Sequence, residues 1–503
     1  MPSFPIVERC KRLQNRIETL PVDIGALMIM VLVGGVYVAT LLPGVGHSGD
    51  TAKFQFVGYS LGTPHATGYP TYTLINFLFT RLFIFGSIAY RANLLSALFA
   101  ICAVYFLYRL LMGQGVSKGL AFIGAMTFAF APTFWLHSLF AEVYTLHILF
   151  VTVVCYFLLK WVQSLKDRYL LIACAFYAFS FGNHLMTLML LPAIGYMVWI
   201  TKREVLKKPK YIALVLAFIL LSAAQYLYVV WRTFDTDTLY LETSARNVRE
   251  FLWFVSGGQF RWGMFAYTPM EVLTQRIPFF LKQIWSQFSV LVLLVPFGII
   301  GLRSWRISIF LGLFFAAQAF YAINYRIPDI EAYFLPNYFI LAIFIVAGIS
   351  TIIKKVPQTY RTLTMSFFVL MPVALLVKNW AVVDQHDKVS KIRETTAVLE
   401  SVERNALIVT PNYDIFEYLM YYDIAEGWME KEVYITHDFD IDDLIVYSRG
   451  EQPLSLTVQK IQAPPGLDIY LTGVKKINIA EVEDNGFMVE EVREGLLYHI
   501  TRD

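Results

Sequence analysis

Charge is scarce in this sequence. Asp, Glu, Lys and Arg make up 16% of the 503 residues, against roughly a quarter in a soluble globular chain. With 57% hydrophobic residues and a mean hydropathy of +0.55, a purely soluble fold is excluded. Cysteine is equally sparse. Cys10 precedes the first apolar run, and Cys102, Cys155 and Cys174 lie inside later ones. That placement excludes a disulfide framework or a Cys-based metal site. No metal-ligand spacing stands out elsewhere, so no metal and no cofactor are expected. Nucleic-acid signatures, long repeats and low-complexity segments are missing too. Asn-x-Ser/Thr acceptors are absent, which together with short loops points to a prokaryotic source. No small-residue cleavage site follows the first apolar run, which reads as a retained anchor.

What charge there is falls unevenly. Up to Asp384 the chain carries 30 Lys and Arg against 15 Asp and Glu; beyond it, 11 against 23. A near-neutral total hides a basic apolar part, residues 1–384, and an acidic tail, residues 385–503.

About 20 apolar residues cross a bilayer. Eleven spans are expected, near 22–42, 92–111, 118–136, 143–161, 169–183, 185–200, 211–231, 285–302, 307–325, 334–353 and 362–383. Arg9, Lys11, Arg12 and Arg16, then Arg109 and Lys118, Lys160 to Arg168, Lys202 to Lys210, Arg303 and Arg306, and Lys354 to Arg361 fall on one side. That side is the cytoplasm. Residues 70–90 are apolar enough for a twelfth span, but that would reverse half of the basic loops. Gly62, Pro64, Gly68 and Pro70 suit an outer loop, 44–90, with interfacial or re-entrant helices. The long loop 232–283 lies on the same outer side. In the tail, stretches beginning at Asn405, Glu432, Leu467 and Gly495 read as strands, and 414–427 and 441–449 as helices. The fold class is therefore an α-helical polytopic membrane protein with a small C-terminal α/β domain outside.

Four polar clusters share that outer side. The first loop holds His47 and Asp50, with Lys53 just beyond, and then His65 and Tyr69. Glu142 and Tyr144 follow Phe134-Trp-Leu-His. Asn183 and His184 break two apolar stretches. Arg326, Asp329 and Glu331 share one short loop. Each alone reads as readily as a helix cap or surface ion pair. Their common side favours an active site or a transport pathway.

Gly46 to Pro70, then Phe85-Gly-Ser-Ile-Ala-Tyr-Arg-Ala-Asn-Leu-Leu95, Trp135 to Tyr144 and Gly182-Asn183-His184, resemble the transmembrane protein 260 family of the GT-C membrane glycosyltransferases. The specific match runs over about residues 44–200. His47 stands where that family usually has Asp, Asp50 where it has Glu, and Ala66-Thr67 replace Pro-Pro. The resemblance implies a GT-C-like fold and transfer of one sugar, with inversion, from a polyprenyl-phosphate carrier. The acceptor would be a protein, lipid or glycan hydroxyl. Asp50 would be the base. Arg326, Arg261 and Lys53 would meet the donor phosphate. His47, His65, Tyr69, Glu142, Tyr144, Asn183, His184, Asp329 and Glu331 would contact substrate. The implied setting is a bacterial inner membrane, with membrane lipids as surroundings. A flippase of a lipid-linked sugar and a non-catalytic scaffold are the alternatives.

Overall fold

The computed structural model describes residues 23–502 except 48, 428–431, 438–440, 450–452, 457, 459–460 and 474–475. Cys10, Arg9, Lys11, Arg12 and Arg16 lie outside the described residues.

Helices occupy all eleven expected spans. Eight are long and apolar enough to cross a membrane: Ile88–Gly113, Tyr144–Ser164, Leu185–Lys207, Pro209–Phe234, Pro269–Gly301, Trp305–Ile323, Leu335–Lys355 and Gln358–Val383. Three are shorter, Ile24–Ala39 and Lys118–Ala129 and Asp167–Ser180. Pro132 accounts for one shortening. It cannot continue a helix and instead opens the short helix Pro132–His137. Leu335–Lys355 runs through the middle of the bundle, 83% of its apolar window buried, whereas Pro209–Phe234 is 17% buried and turns Ile219, Leu220 and Leu221 outward to lipid. The central helix meets Val295–Gly301 through glycine. A Cβ at Gly298 would stand 1.8 Å from the Phe344 carbonyl oxygen, and one at Gly348 2.3 Å from that of Leu294. Small residues at such contacts let two backbones approach where no hydrophobic drive operates between helices.

The described residues of 44–90 include two short helices, Thr51–Ser60 and Pro70–Leu82, and a tight turn leads into Ile88–Gly113. The motif around that turn is structural. Ser87 caps the following helix at the Tyr90 amide. The Arg91 guanidinium donates to the carbonyls of Thr80, Ile84 and Gly86. Buried Asn93 donates to Leu42 and Gly44 and accepts from Gln55 and the Ala141 amide.

The tail carries strands β1 (Ala406–Val409), β2 (Tyr434–Thr436), β3 (Leu454–Leu456), β4 (Ile461–Ala463), β5 (Asp468–Thr472), β6 (Phe487–Arg493) and β7 (Leu497–Arg502). One sheet runs β2-β1-β5-β7-β6, with β1 parallel to β2 and β5 and with β7 antiparallel to β5 and β6; β3 and β4 pair separately. The four expected strands are β1, β2, β5 and β7, and the two expected helices are Tyr413–Ala425 and Ile441–Ser448. β1 is buried along its length, as a central parallel strand must be. β6 was not foreseen: it is an edge strand, mostly exposed and charged. One apolar core joins the tail to the first loop, with Phe416, Leu419 and Met420 packed among Val45, Ala52, Phe56 and Val57.

Candidate active site

Six segments at one end of the bundle enclose a cavity of about 570 Å³. It is lined from the first loop (Asp50, Lys53, His65, Tyr69), the second (His137, Glu142), the third (His184), the fourth (Glu242, Ser256 to Met264), the fifth (Tyr325, Asp329, Tyr333) and the tail (Tyr413, His437). Successive connections on one side of a helical bundle meet only if every intervening pair crosses and returns. The cavity thus supports the crossing pattern independently of the basic loops.

At its floor sits Lys53, 1% exposed. Its ammonium lies 2.8 Å from Asp50 Oδ1, 2.9 Å from Glu242 Oε2 and 3.3 Å from Glu417 Oε1. The last is in ion-pair range without hydrogen-bond geometry. His65 Nδ1 is 3.0 Å away. An ammonium only donates, so Nδ1 accepts. The imidazole proton is then on Nε2, 2.9 Å from the Tyr69 hydroxyl and 3.5 Å from Asp50 Oδ2. Burial works against the ammonium, but Asp50, Glu242 and Glu417 more than offset it and hold Lys53 well above the ordinary lysine range. Burial likewise pushes His65 down.

The carboxylates divide. Asp50 opens on the cavity with 39% of its side chain exposed. Desolvation there would raise its pKa; His65 and Lys53 outweigh it and hold the group at about 2. Glu142 goes the other way, well above the carboxylate range, through burial and the nearby charges of Asp50 and Asp329. Asp329 accepts from the Tyr144 hydroxyl, and desolvation raises it. Glu417, fully buried, is pushed up to about 8 by desolvation. Environments that drive neighbouring carboxyl groups apart separate a base from proton-holding groups. Asp50 is the group kept ionised and open to the cavity.

Eight of the expected site residues line this cavity: Asp50, Lys53, His65, Tyr69, Glu142, Tyr144, His184 and Asp329. Five do not. The His47 ring stacks on Phe140 at 3.9 Å. Asn183 is buried behind the wall, where its amide donates to the Val143 carbonyl and fixes the Glu142 turn. Glu331 stands in the first turn of Ile330–Tyr333, off the cavity. Arg261 and Arg326 are exposed, bound to Ser256 and to the Ala266 carbonyl respectively. Their chain neighbours Trp262, Tyr325 and Ile327 line the cavity, but neither arginine does. Lys53, expected at the donor phosphate, has the side chains of Asp50, Glu242 and Glu417 around its ammonium. Residues the sequence did not single out are Glu242, Tyr333, Glu417, Tyr413 and His437. Glu417 carried a local signal, as an acid set directly between Phe416 and Tyr418.

The architecture is shared with a solved structure. A crystal structure of ArnT from Cupriavidus metallidurans bound to undecaprenyl phosphate superposes with a TM-score of 0.62 at 12% identity, over 94% of this chain and 97% of that one. In sequence, the chain is similar to the TMEM260 family. Residues 50–207 match the family model of the protein O-mannosyl-transferase TMEM260 N-terminal domain. Mouse protein O-mannosyl-transferase TMEM260 is 25% identical over 419 residues, covering 76% of this chain and 58% of the mouse protein. The Dictyostelium discoideum protein of that name is 23% identical over 212 residues, 38% of this chain and 25% of its own length. The chain thus spans less than two thirds of the length of these curated relatives.

Proposed function

We propose that this protein transfers a single sugar, with inversion, from a polyprenyl-phosphate carrier to an acceptor hydroxyl, that of a protein Ser or Thr in the first instance, on the extracytoplasmic face of a bacterial inner membrane. One observation carries the reading: a carboxylate, Asp50, held ionised by a buried lysine and opening on a cavity walled by the motif segments of a TMEM260-like chain.

In this scheme the acceptor hydroxyl lies against Asp50, which takes its proton as the oxygen attacks the anomeric carbon. The bond from that carbon to the phosphate oxygen breaks on the opposite face, and polyprenyl phosphate departs as an anion that needs no proton. Arg261 and Arg326, whose chain neighbours line the cavity, are the guanidinium groups suited to bidentate phosphate contact. Glu142, held protonated, donates to a sugar hydroxyl, and Tyr69, Tyr144 and Tyr333 give the sugar a stacking wall. His137 Nδ1, buried with no hydrogen-bond partner among the described residues, is a further contact for a hydroxyl.

The test is Asp50→Asn in the full chain, purified in detergent and given radiolabelled undecaprenyl-phosphate hexoses with a Ser/Thr-rich peptide. Transfer should fall by about 10²- to 10⁴-fold, the usual contribution of a positioned base, with an unchanged elution profile. Wild-type transfer in this variant would overturn the base assignment.

A further inference from the structure

The tail is built into the catalytic floor by one helix. Tyr413–Ala425 starts at Asn412, whose side chain caps it at the Ile415 amide. Residues 413, 414, 417, 418 and 421 share one helical face, and each contacts the membrane part. The Tyr413 hydroxyl donates to Glu242 Oε1 at 3.1 Å. Asp414 Oδ1 accepts from the Gly49 amide at 3.2 Å. Glu417 Oε2 accepts from the Lys53 amide at 3.2 Å. The Tyr418 hydroxyl donates to the His47 carbonyl at 2.7 Å, and the Tyr421 hydroxyl accepts from the Ala89 amide at 3.1 Å.

Asp414 and Glu417 land at the start of the helix Thr51–Ser60, where first-turn N–H groups lack partners within their own helix and favour negative groups. Asp50 is the residue immediately before that helix. Glu417 therefore meets Lys53 twice, at its backbone amide and near its ammonium, and the same ammonium holds Asp50. Tyr413 restrains Glu242, the third carboxylate on that ammonium.

We infer, on the reading of Asp50 as the base, that the C-terminal domain completes the active site: Glu417 is a positioning residue that acts through Lys53 to aim Asp50 at the acceptor. Glu417 itself lies behind Lys53, off the cavity wall, and touches no reacting atom. Without an oxygen at this place the Lys53 amide loses its acceptor, the ammonium shifts toward the carboxylates that remain, and Asp50 loses its fixed direction. A misplacement of about 1 Å costs on the order of 100-fold in turnover.

The experiment has two readouts on the full chain. In the hexose transfer assay, Glu417→Ala should lower kcat by about 100-fold while KM for the carrier stays within about twofold, as expected for lost orientation rather than lost binding. Glu417→Gln keeps an oxygen at the same place and should restore most of the rate. Asp414→Ala, a milder variant that frees only the Gly49 amide, should give a smaller fall in kcat of the same kind. Independently of turnover, labelling with an amine-reactive acetylating reagent followed by mass spectrometry should find Lys53 protected in the wild type and in Glu417→Gln, and modified in Glu417→Ala. Wild-type kcat in both Ala variants, or Lys53 equally protected in Glu417→Ala, overturns the inference. If Asp50→Asn is silent while the Ala variants turn over normally, only the tail's role falls. If Asp50→Asn is active, the base reading falls, and Lys53 labelling still reports whether the tail holds it.

Discussion

Lys53 keeps its charge where burial alone would strip it. A buried ammonium is tolerated when carboxylates surround it, and removing one partner of such a cluster leaves the others uncompensated. Lys53→Met should therefore destabilise the protein by about 3–5 kcal/mol, seen as a lowered unfolding temperature in detergent. Glu417 gives the clearest pH signature. Its pKa is raised from 4.5 to about 8, so the folded protein holds a proton that the unfolded chain gives up. Stability from this group is greatest below pH 4.5 and declines as the pH rises through about 8. Wild type minus Glu417→Gln should therefore fall by roughly 3 kcal/mol between pH 5 and 8, read from paired thermal unfolding curves. An opposite slope would mean that Glu417 is ionised beside Lys53. Asp50 runs the other way: its contribution is present above its ordinary pKa of 3.8 and is lost only toward about 2. No acid limb from Asp50 belongs in an activity profile between pH 5 and 8.

At the level of elements, the motif segments divide into chemistry and scaffolding. Gly46-His47-x-x-Asp50 in the first loop delivers Asp50, and the loop returns through His65 and Tyr69 to the same cavity. The Ser87 to Asn93 segment touches nothing reactive. Its residues fasten the hairpin of Pro70–Leu82 and Ile88–Gly113 and tie the first loop to the Glu142 turn. Asn93→Leu would strand the Leu42 carbonyl and the Ala141 amide in a buried site and take one acceptor from the Gln55 amide. Leaving such groups unpaired costs about 1–3 kcal/mol each. We expect a loss of several kcal/mol in stability and poor recovery from membranes, even though Asn93 lies away from the reacting atoms. Local pattern made these segments legible, because glycine, proline and an isolated acid in apolar surroundings stand out in a short window. It could not distinguish a residue on the wall from one behind it, as Asn183 and His47 show. The carboxylate partners Glu242 and Glu417 are 189 and 364 residues from Lys53, and nothing in a local window links them.

For the whole molecule, helix periodicity and basic loops sufficed for the architecture, since a bilayer demands long apolar runs and a consistent charge asymmetry. The tail strands β3, β4 and β6 were beyond the same reasoning: β3 and β4 are three residues each, and β6 buries little of its length. The arrangement of connections makes a topological prediction. In a chain whose native cysteines are replaced, single cysteines at Glu250 and Glu394 should label from one side of sealed inverted vesicles, and cysteines at Lys208 and Lys354 from the other. Labelling of all four from one side would break the crossing pattern on which the cavity depends.

The docking of Tyr413–Ala425 also bears on the order of events during synthesis. Asp50 leaves the ribosome more than 360 residues before Glu417, and every membrane helix after the first is made in the interval. If Asp50 is the base, a nascent chain has it without the contacts that aim it, and catalytic competence waits until the last quarter of the polypeptide has folded onto the first loop. A stalled or prematurely ended chain would occupy the membrane as an inert bundle and would neither consume lipid-linked sugar nor modify passing hydroxyl groups.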